Sequence, residues 1–316
     1  MWLKADLHLH TNKGPEGFVP WTPQELIDLA AQTGYQVLSF TDHDRVTYSP
    51  ALARYAQERG IVLIPGVEAT VEGRHVLLYN FPCPPEALRS FGDIRRHKGS
   101  NTLVVAPHPF YPGPTSLRKK LLENLDLFDA IEYSHFYTSW LNRNRRGVGF
   151  AQDRGIPLLG GSDAHLPRQF GTTYSLVEAD PSSEGVLSAI RAARVQVVSR
   201  PLHTRALCAI GVSLVSGAVL QAGWGLTEAL WNGLSLTIAR AYASVRETHQ
   251  PESVGVHWRR SQERISKRNG HYAREGFGLQ PEQSRSEERD RISRGFGSCV
   301  HSHPQEDHGG PRGHTT

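Results

Sequence analysis

Cysteine is nearly absent. The 316 residues hold three, Cys83, Cys208 and Cys299, scattered and odd in number. They offer neither a disulfide framework nor a C-x-x-C pair, which argues for a reducing, cytoplasmic setting. The first residues, MWLKADLHLH, lack the apolar core of a secretory signal. Charge of either sign is not in surplus: the formal net charge of +4 is too small to demand a nucleic-acid partner. No G-x-S-x-G elbow, Walker loop or catalytic-cysteine signature occurs, so a serine or cysteine nucleophile and a P-loop are not expected. Histidine, in contrast, is plentiful at 16 residues, although seven of these lie beyond residue 248.

Residues 1 to about 200 alternate between two grammars. LKADLHLH, YQVLSFTDHD, IVLIPGVEA, RHVLLYNF, TLVVAPHPF, FDAIEYSHF, IPLLGGSDAH and VQVVS read as strands. TPQELIDLAAQTG reads as a helix: Thr22 and Glu25 have capping-box spacing, Pro23 takes the first helical position and Gly34 lies past the end. SPALARYAQERG repeats the pattern with Ser49, Pro50 and Gly60. Two more helices are expected, near Ser116–Glu123 and Trp140–Arg154. This alternation predicts a parallel α/β architecture, and its repetition favours a barrel.

After Pro201 the pattern changes. Between Arg205 and Arg240 the single charged residue is Glu228. The stretch is long enough to cross a bilayer. Ser213, Ser216, Gln221 and its glycines favour packed, irregular helices instead, so a membrane partner is not expected. From about His249 onward Arg, Glu, Ser, Gly and His dominate, too polar a mixture to offset its ordering entropy. The expected organisation is therefore a domain over 1–204, an apolar helical segment over 205–248 and a disordered polar tail over 249–316.

The strand ends carry the chemistry. The first ends in His8 and His10, which share a face because side chains alternate along a strand. Later ones end in Asp42, His43 and Asp44, in Glu68, in His108, and in Asp163 and His165. The C-terminal face of an α/β barrel is where active sites gather. His75 sits at a strand beginning, and an antiparallel strand or hairpin after Glu68 would return it to the same rim. Taken singly, each motif also reads as a hydrogen-bonding turn. Together they make a polar cluster too costly to bury unless paired or metallated. Mixed imidazole and carboxylate ligands suit Mn, Zn or Fe without choosing among them.

In this order and spacing, DLHLHT, TDHD, PGVE, APHPF and GSDAH resemble the PHP (polymerase and histidinol phosphatase) superfamily, and its small stand-alone phosphoesterases in particular. The resemblance covers residues 1 to about 200. It implies a distorted (β/α)7 TIM-like barrel holding two or three divalent metal ions. Carried over residue by residue, His8, His10, Glu68 and Asp163 would hold the first ion. Glu68 would bridge to a second, completed by His75 and His108. His43 and His165 would hold a third with an acid from the loop after DLHLHT. Where members carry an aspartate this sequence has Pro15, and neighbouring Glu16 is the substitute. Asp6 is read as orienting a ligand imidazole.

The implied activity is hydrolysis of phosphate esters of nucleotides or other small phosphorylated molecules by a metal-bridging hydroxide, with short nucleic acids as a further substrate class. His165 and His135 are the candidate leaving-group acids. Arg45, Arg143 and Arg168 are the candidate phosphate clamps, and Phe110, Tyr111 and Tyr137 either stack a base or pack the rim. A histidinol-phosphate-type phosphatase and a non-catalytic metal-binding scaffold stand as alternatives, and the oligomeric state is left open.

Overall fold

The computed structural model describes residues 1–203, except Gly17, together with Ile210. The expected helical segment over 205–248, apart from Ile210, and the expected tail over 249–316 lie outside the described residues. No helix among the described residues is long and apolar enough to cross a membrane.

The chain begins with β1 (Trp2–Leu9), whose Leu3, Ala5 and Leu7 enter the core. Next come α1 (Pro23–Gln32), β2 (Val37–Phe40), α2 (Pro50–Gln57) and β3 (Val62–Leu63). The capping box at α1 is present: Thr22 Oγ1 accepts the Glu25 N–H at 3.2 Å, and the Glu25 carboxylate accepts the Thr22 N–H at 2.8 Å. Ser49 caps α2 by accepting the Leu52 N–H at 3.1 Å. Then follow β4 (Gly66–Val71), β5 (Arg74–Tyr79), α3 (Phe91–His97), β6 (Leu103–Ala106) and α4 (Lys119–Glu123). The last elements are β7 (Ala130–Ser134), α5 (Asn144–Arg154), β8 (Leu158–Gly161), β9 (Thr173–Glu178), α6 (Ser183–Arg191) and β10 (Val195–Ser199). The two expected later helices are shorter than read, beginning at Lys119 and Asn144.

The architecture is a mixed α/β fold of two five-stranded sheets, ordered β10-β9-β1-β2-β3 and β4-β5-β6-β7-β8. The expected parallel, distorted barrel is corrected to two sheets, and parallel pairing is broken in two places, the first of them the hairpin anticipated after Glu68. Glu72 and Gly73, with φ of 47° and 72°, form a two-residue turn that sends β5 back antiparallel to β4. β9 returns antiparallel along β1, and β10 pairs antiparallel to β9. The pairs β1–β2, β2–β3, β6–β7 and β7–β8 are parallel as expected. Among the described residues no continuous ladder closes the sheets. They are stitched by a buried hydrogen bond from Tyr79 OH to the Leu7 carbonyl at 2.8 Å, and by isolated bridges Leu9–Ala164 and His43–Glu68. Both bridges fall at strand ends that carry histidine or carboxylate.

Candidate metal centre

The hairpin decides where His75 goes. In its register Thr70 faces His75 and Glu68 faces Leu77, which brings the His75 Nδ1 to 2.8 Å from Glu68 Oε1. On the neighbouring sheet, His8 in β1 and His10 just past it point the same way. Glu68 Oε2 lies 3.2 Å from His8 Nε2, 3.3 Å from His10 Nε2 and 3.3 Å from His43 Nδ1. Its other oxygen also lies 3.3 Å from His108 Nε2. One buried carboxylate thus faces five imidazoles across the seam between the sheets. Asp163 Oδ1 adds a second carboxylate, 3.4 Å from His8 Nε2 and 3.2 Å from His10 Nε2. Glu16 Oε1 stands 3.3 Å from His43 Nε2 and 3.6 Å from His10 Nδ1.

Three overlapping donor sets result: His8, His10, Glu68 and Asp163; His43, Glu68 and His75; and His10, Glu16, His43 and His165. All nine residues expected from the sequence to bind metal are therefore gathered, with His108 attached through Glu68. His43 sits with Glu68 and His75 as well as with Glu16 and His165. Backbone conformation contributes, since His108 and Asp163 have positive φ of 28° and 46°, unusual for side-chain-bearing residues and typical of functional positions.

The donor atoms fit divalent cations. His10 Nδ1 and Nε2, both Glu16 oxygens, His43 Nδ1 and His75 Nδ1 are buried yet make no hydrogen bond, although opposing donor atoms stand close by. Buried polar atoms left in that state are costly. A cation shared between facing lone pairs removes the cost, and the nitrogen–oxygen mixture suits Mn, Zn or Fe.

Electrostatics bind the cluster together. Burial opposes charge on His8, but the Glu132, Asp163 and Glu68 carboxylates hold its pKa well above the usual imidazole value. Burial likewise opposes charge on Glu68, yet His8 and His43 hold it well below the usual carboxyl range. Asp163 is lowered in the same way, chiefly by His8 and His10. Asp6 behaves differently. Burial pushes it up to about 7, and its Oδ1 accepts the backbone N–H groups of His8 at 3.3 Å and Ser162 at 3.2 Å. It thus holds backbone rather than an imidazole.

The imidazole of His8 is oriented instead by Glu132, which sequence reasoning missed. Glu132 Oε1 is 2.6 Å from His8 Nδ1, and Oε2 accepts the His108 N–H at 2.8 Å. The available signal was a lone carboxylate between Ile131 and Tyr133 in a strand whose residues are all buried. Gln169 was missed too. Its Oε1 accepts the N–H groups of His165 at 3.1 Å and Leu166 at 2.8 Å, which leaves its Nε2 to donate to the Asp163 carbonyl and to His135 Nε2. His135 Nε2 is therefore an acceptor. Burial lowers His135 to about 4 and His165, beside His10, to about 3, so both are neutral imidazoles at neutral pH.

Among the described residues no ion pair holds the guanidinium of the expected phosphate clamps Arg45, Arg143 and Arg168. Arg45 is exposed, Arg143 caps α5 beside Asn144, which is bonded to Ser134, and Arg168 is half-buried between His165 and Gln169. Among the candidate stacking rings, Tyr137 is buried edge-on against Tyr133, and Phe110 packs on Phe150.

Seam, donor sets and motif order together mark a site whose residues suit divalent metal ions. A family model described as PHP-associated matches residues 142–195. An uncharacterized protein of Methanocaldococcus jannaschii, MJ1587, is 28% identical over 146 residues, spanning 43% of this chain and 83% of that protein. The PolC-type DNA polymerase III of Streptococcus thermophilus is 37% identical over 78 residues, which is 24% of this chain but 5% of the polymerase. The crystal structure of PsfC from Pseudomonas syringae superposes with a TM-score of 0.44 at 17% identity, covering 69% of this chain and 99% of that one. The match over residues 142–195 and the motif order read from the sequence point the same way, to a likeness with PHP proteins.

Proposed function

We propose that the protein is a metal-dependent phosphoesterase acting on nucleotides or other small phosphorylated molecules, with short nucleic acids as a further substrate class. The observation that carries this reading is Glu68, a buried carboxylate facing five imidazoles amid donor atoms that lack hydrogen bonds. His8, His10, Glu68 and Asp163 would hold one ion. Glu68, His75 and His108, with His43 beside them, would hold a second, and Glu16, His43 and His165 a third. Divalent ions in such a site supply Lewis acidity and activate water at neutral pH.

The remaining tasks fall to this chain's own side chains. Glu132 fixes which nitrogen of His8 faces the centre. Gln169 fixes the loop that carries Asp163 and His165. Arg168, adjacent to that loop in sequence, would neutralise a phosphoryl oxygen. His135, held neutral, can donate a hydrogen bond from Nδ1 to a leaving oxygen but brings no imidazolium charge, whereas His165, with Nδ1 against the Asp163 carbonyl, is left to the ion.

Metal per chain by elemental analysis, beside a screen of phosphate monoesters and diesters, tests the reading. Two or three equivalents of Mn, Zn or Fe and turnover of a phosphate ester are expected. His8→Ala and Asp163→Ala should each lose metal and at least about 100-fold in kcat/KM. Wild-type turnover in either variant would show that this cluster is not the active site.

A further inference from the structure

Tyr111 sits the wrong way round for a surface tyrosine. Its side chain as a whole is half-buried, yet its hydroxyl is fully buried and makes no hydrogen bond. A tyrosine ordinarily buries its ring and keeps the hydroxyl wet or paired. Packing gains nothing from the inversion, which leaves apolar area in water and a polar atom without a partner. The hydroxyl is a donor whose acceptor must come from outside the chain.

The turn that makes this inversion also carries His108. The Tyr111 N–H donates to the His108 carbonyl at 3.1 Å, and the Ser116 hydroxyl donates to the same carbonyl at 3.3 Å. The Arg118 N–H donates to the Pro109 carbonyl at 3.0 Å. Phe110 packs edge-on against Phe150, with the Arg146 guanidinium 4.8 Å from its ring centroid. Tyr111 is thus presented on a fixed loop.

Strand β7 supplies the surroundings of the hydroxyl. The Ser134 hydroxyl stands near it but completes no bond with it. Burial, and after it the Glu132 carboxylate, hold the phenol above its usual pKa, so it is a neutral donor. Glu132 and Ser134 share one face of β7 because side chains alternate along a strand. On that face Glu132 grips His8 and His108, and both its oxygens are taken. The Tyr111 hydroxyl therefore lies on the side of β7 that serves the metal centre, with no carboxylate oxygen left for it there.

We propose that Tyr111 is a further catalytic residue, whose hydroxyl donates a hydrogen bond to a phosphoryl oxygen of the ester at the metal centre. It acts through its oxygen rather than by stacking its ring. This rests on the phosphoesterase reading and adds a residue to it. A donor already in place where phosphoryl charge shifts needs no reorganisation during the reaction.

Tyr111→Phe removes the oxygen alone. Its kcat and KM are measured on the metal-loaded full chain with a phosphate ester that the wild type turns over. Metal per chain, Tm and calorimetric Kd values for orthovanadate and inorganic phosphate are measured beside them. The variant should lose at least about tenfold in kcat/KM and bind orthovanadate about tenfold more weakly, with metal content and Tm unchanged. An unchanged kcat/KM or an unchanged orthovanadate Kd would assign the hydroxyl to ordered water and overturn the proposal. A loss in Tyr111→Leu that Tyr111→Phe does not share would assign the work to the ring and overturn it as well. Loss of metal in Tyr111→Phe would make the hydroxyl a support of the His108 loop instead. If the wild type turns over no phosphate ester, the phosphoesterase reading fails by itself. The anion Kd values then decide Tyr111: weaker orthovanadate binding in Tyr111→Phe sustains the hydroxyl as a phosphoryl ligand, and equal or absent binding overturns it.

Discussion

Glu132 grips two ligands of the centre at once, the His8 ring at 2.6 Å and the His108 backbone at 2.8 Å. Each of its oxygens serves one donor, so the geometry needs a carboxylate rather than an amide. In Glu132→Gln a single carbonyl oxygen remains, and the new NH2 group faces an N–H. The variant should keep its fold and lose about 10–100-fold in metal affinity, the usual cost of removing a group that orients a ligand. A chelator-competition titration measures this, and unchanged affinity would mean that His8 is oriented without Glu132. Gly161 shows how little room the arrangement leaves. A Cβ there would lie 2.5 Å from Glu132 Oε1 and 2.9 Å from the His8 Cβ, so the close approach of β8 to β1 requires glycine.

At the scale of the element, the β4–β5 hairpin carries Glu68 on one strand and His75 on the other, and its two-residue turn sets their register. Gly73 at φ 72° tolerates no β-branched side chain. Gly73→Val should cost about 1–2 kcal/mol in urea unfolding and reduce the metal bound per chain, because His75 lies two residues on. A variant with unchanged stability and full metal content would show that the turn does not set the site. The sequence exposes such features unevenly. The α1 and α2 caps are local patterns, and both are present. The strand-end histidines stand out because charge at the end of an apolar run needs a partner. β9 is concealed, since its inward positions are Thr173, Ser175 and Val177 and hydroxyls carry most of the alternation. Ser175 uses its hydroxyl to bond Gly160 of β8, in the other sheet. α3 spans seven residues, too few for a helical period to emerge. α6 does carry a signal, a Ser182 cap followed by buried Val186, Leu187 and Ile190. Glu132 and Gln169 act through contacts made by distant parts of the chain, which no spacing rule encodes.

For the molecule as a whole, the centre lies on the seam between the two sheets, with His8 on one and Glu68 and His75 on the other. Bound ions would therefore tie the sheets together, and their removal should destabilise the whole fold. The size of the effect should depend on pH. Without metal, ion pairs alone hold the cluster. Carboxylates raise His8 and His10 well above their usual 6.5, so that contribution is complete below about 6.5 and is lost as pH rises through the raised values. Glu68 and Asp163 are lowered from 4.5 and 3.8, so theirs is complete above those values and is lost as pH falls through the lowered ones. Metal binding needs neutral imidazoles, and rising pH favours it. The metal-free protein thus loses its histidine pairs over the range where the metal-loaded protein gains affinity. Scanning calorimetry with and without chelator should show metal raising Tm near neutrality by about 5–10 °C for each ion bound at about 100 times its Kd. The gap should widen as pH increases above about 6. A gap that narrows with rising pH, or no gap at all, would place the ions away from this seam.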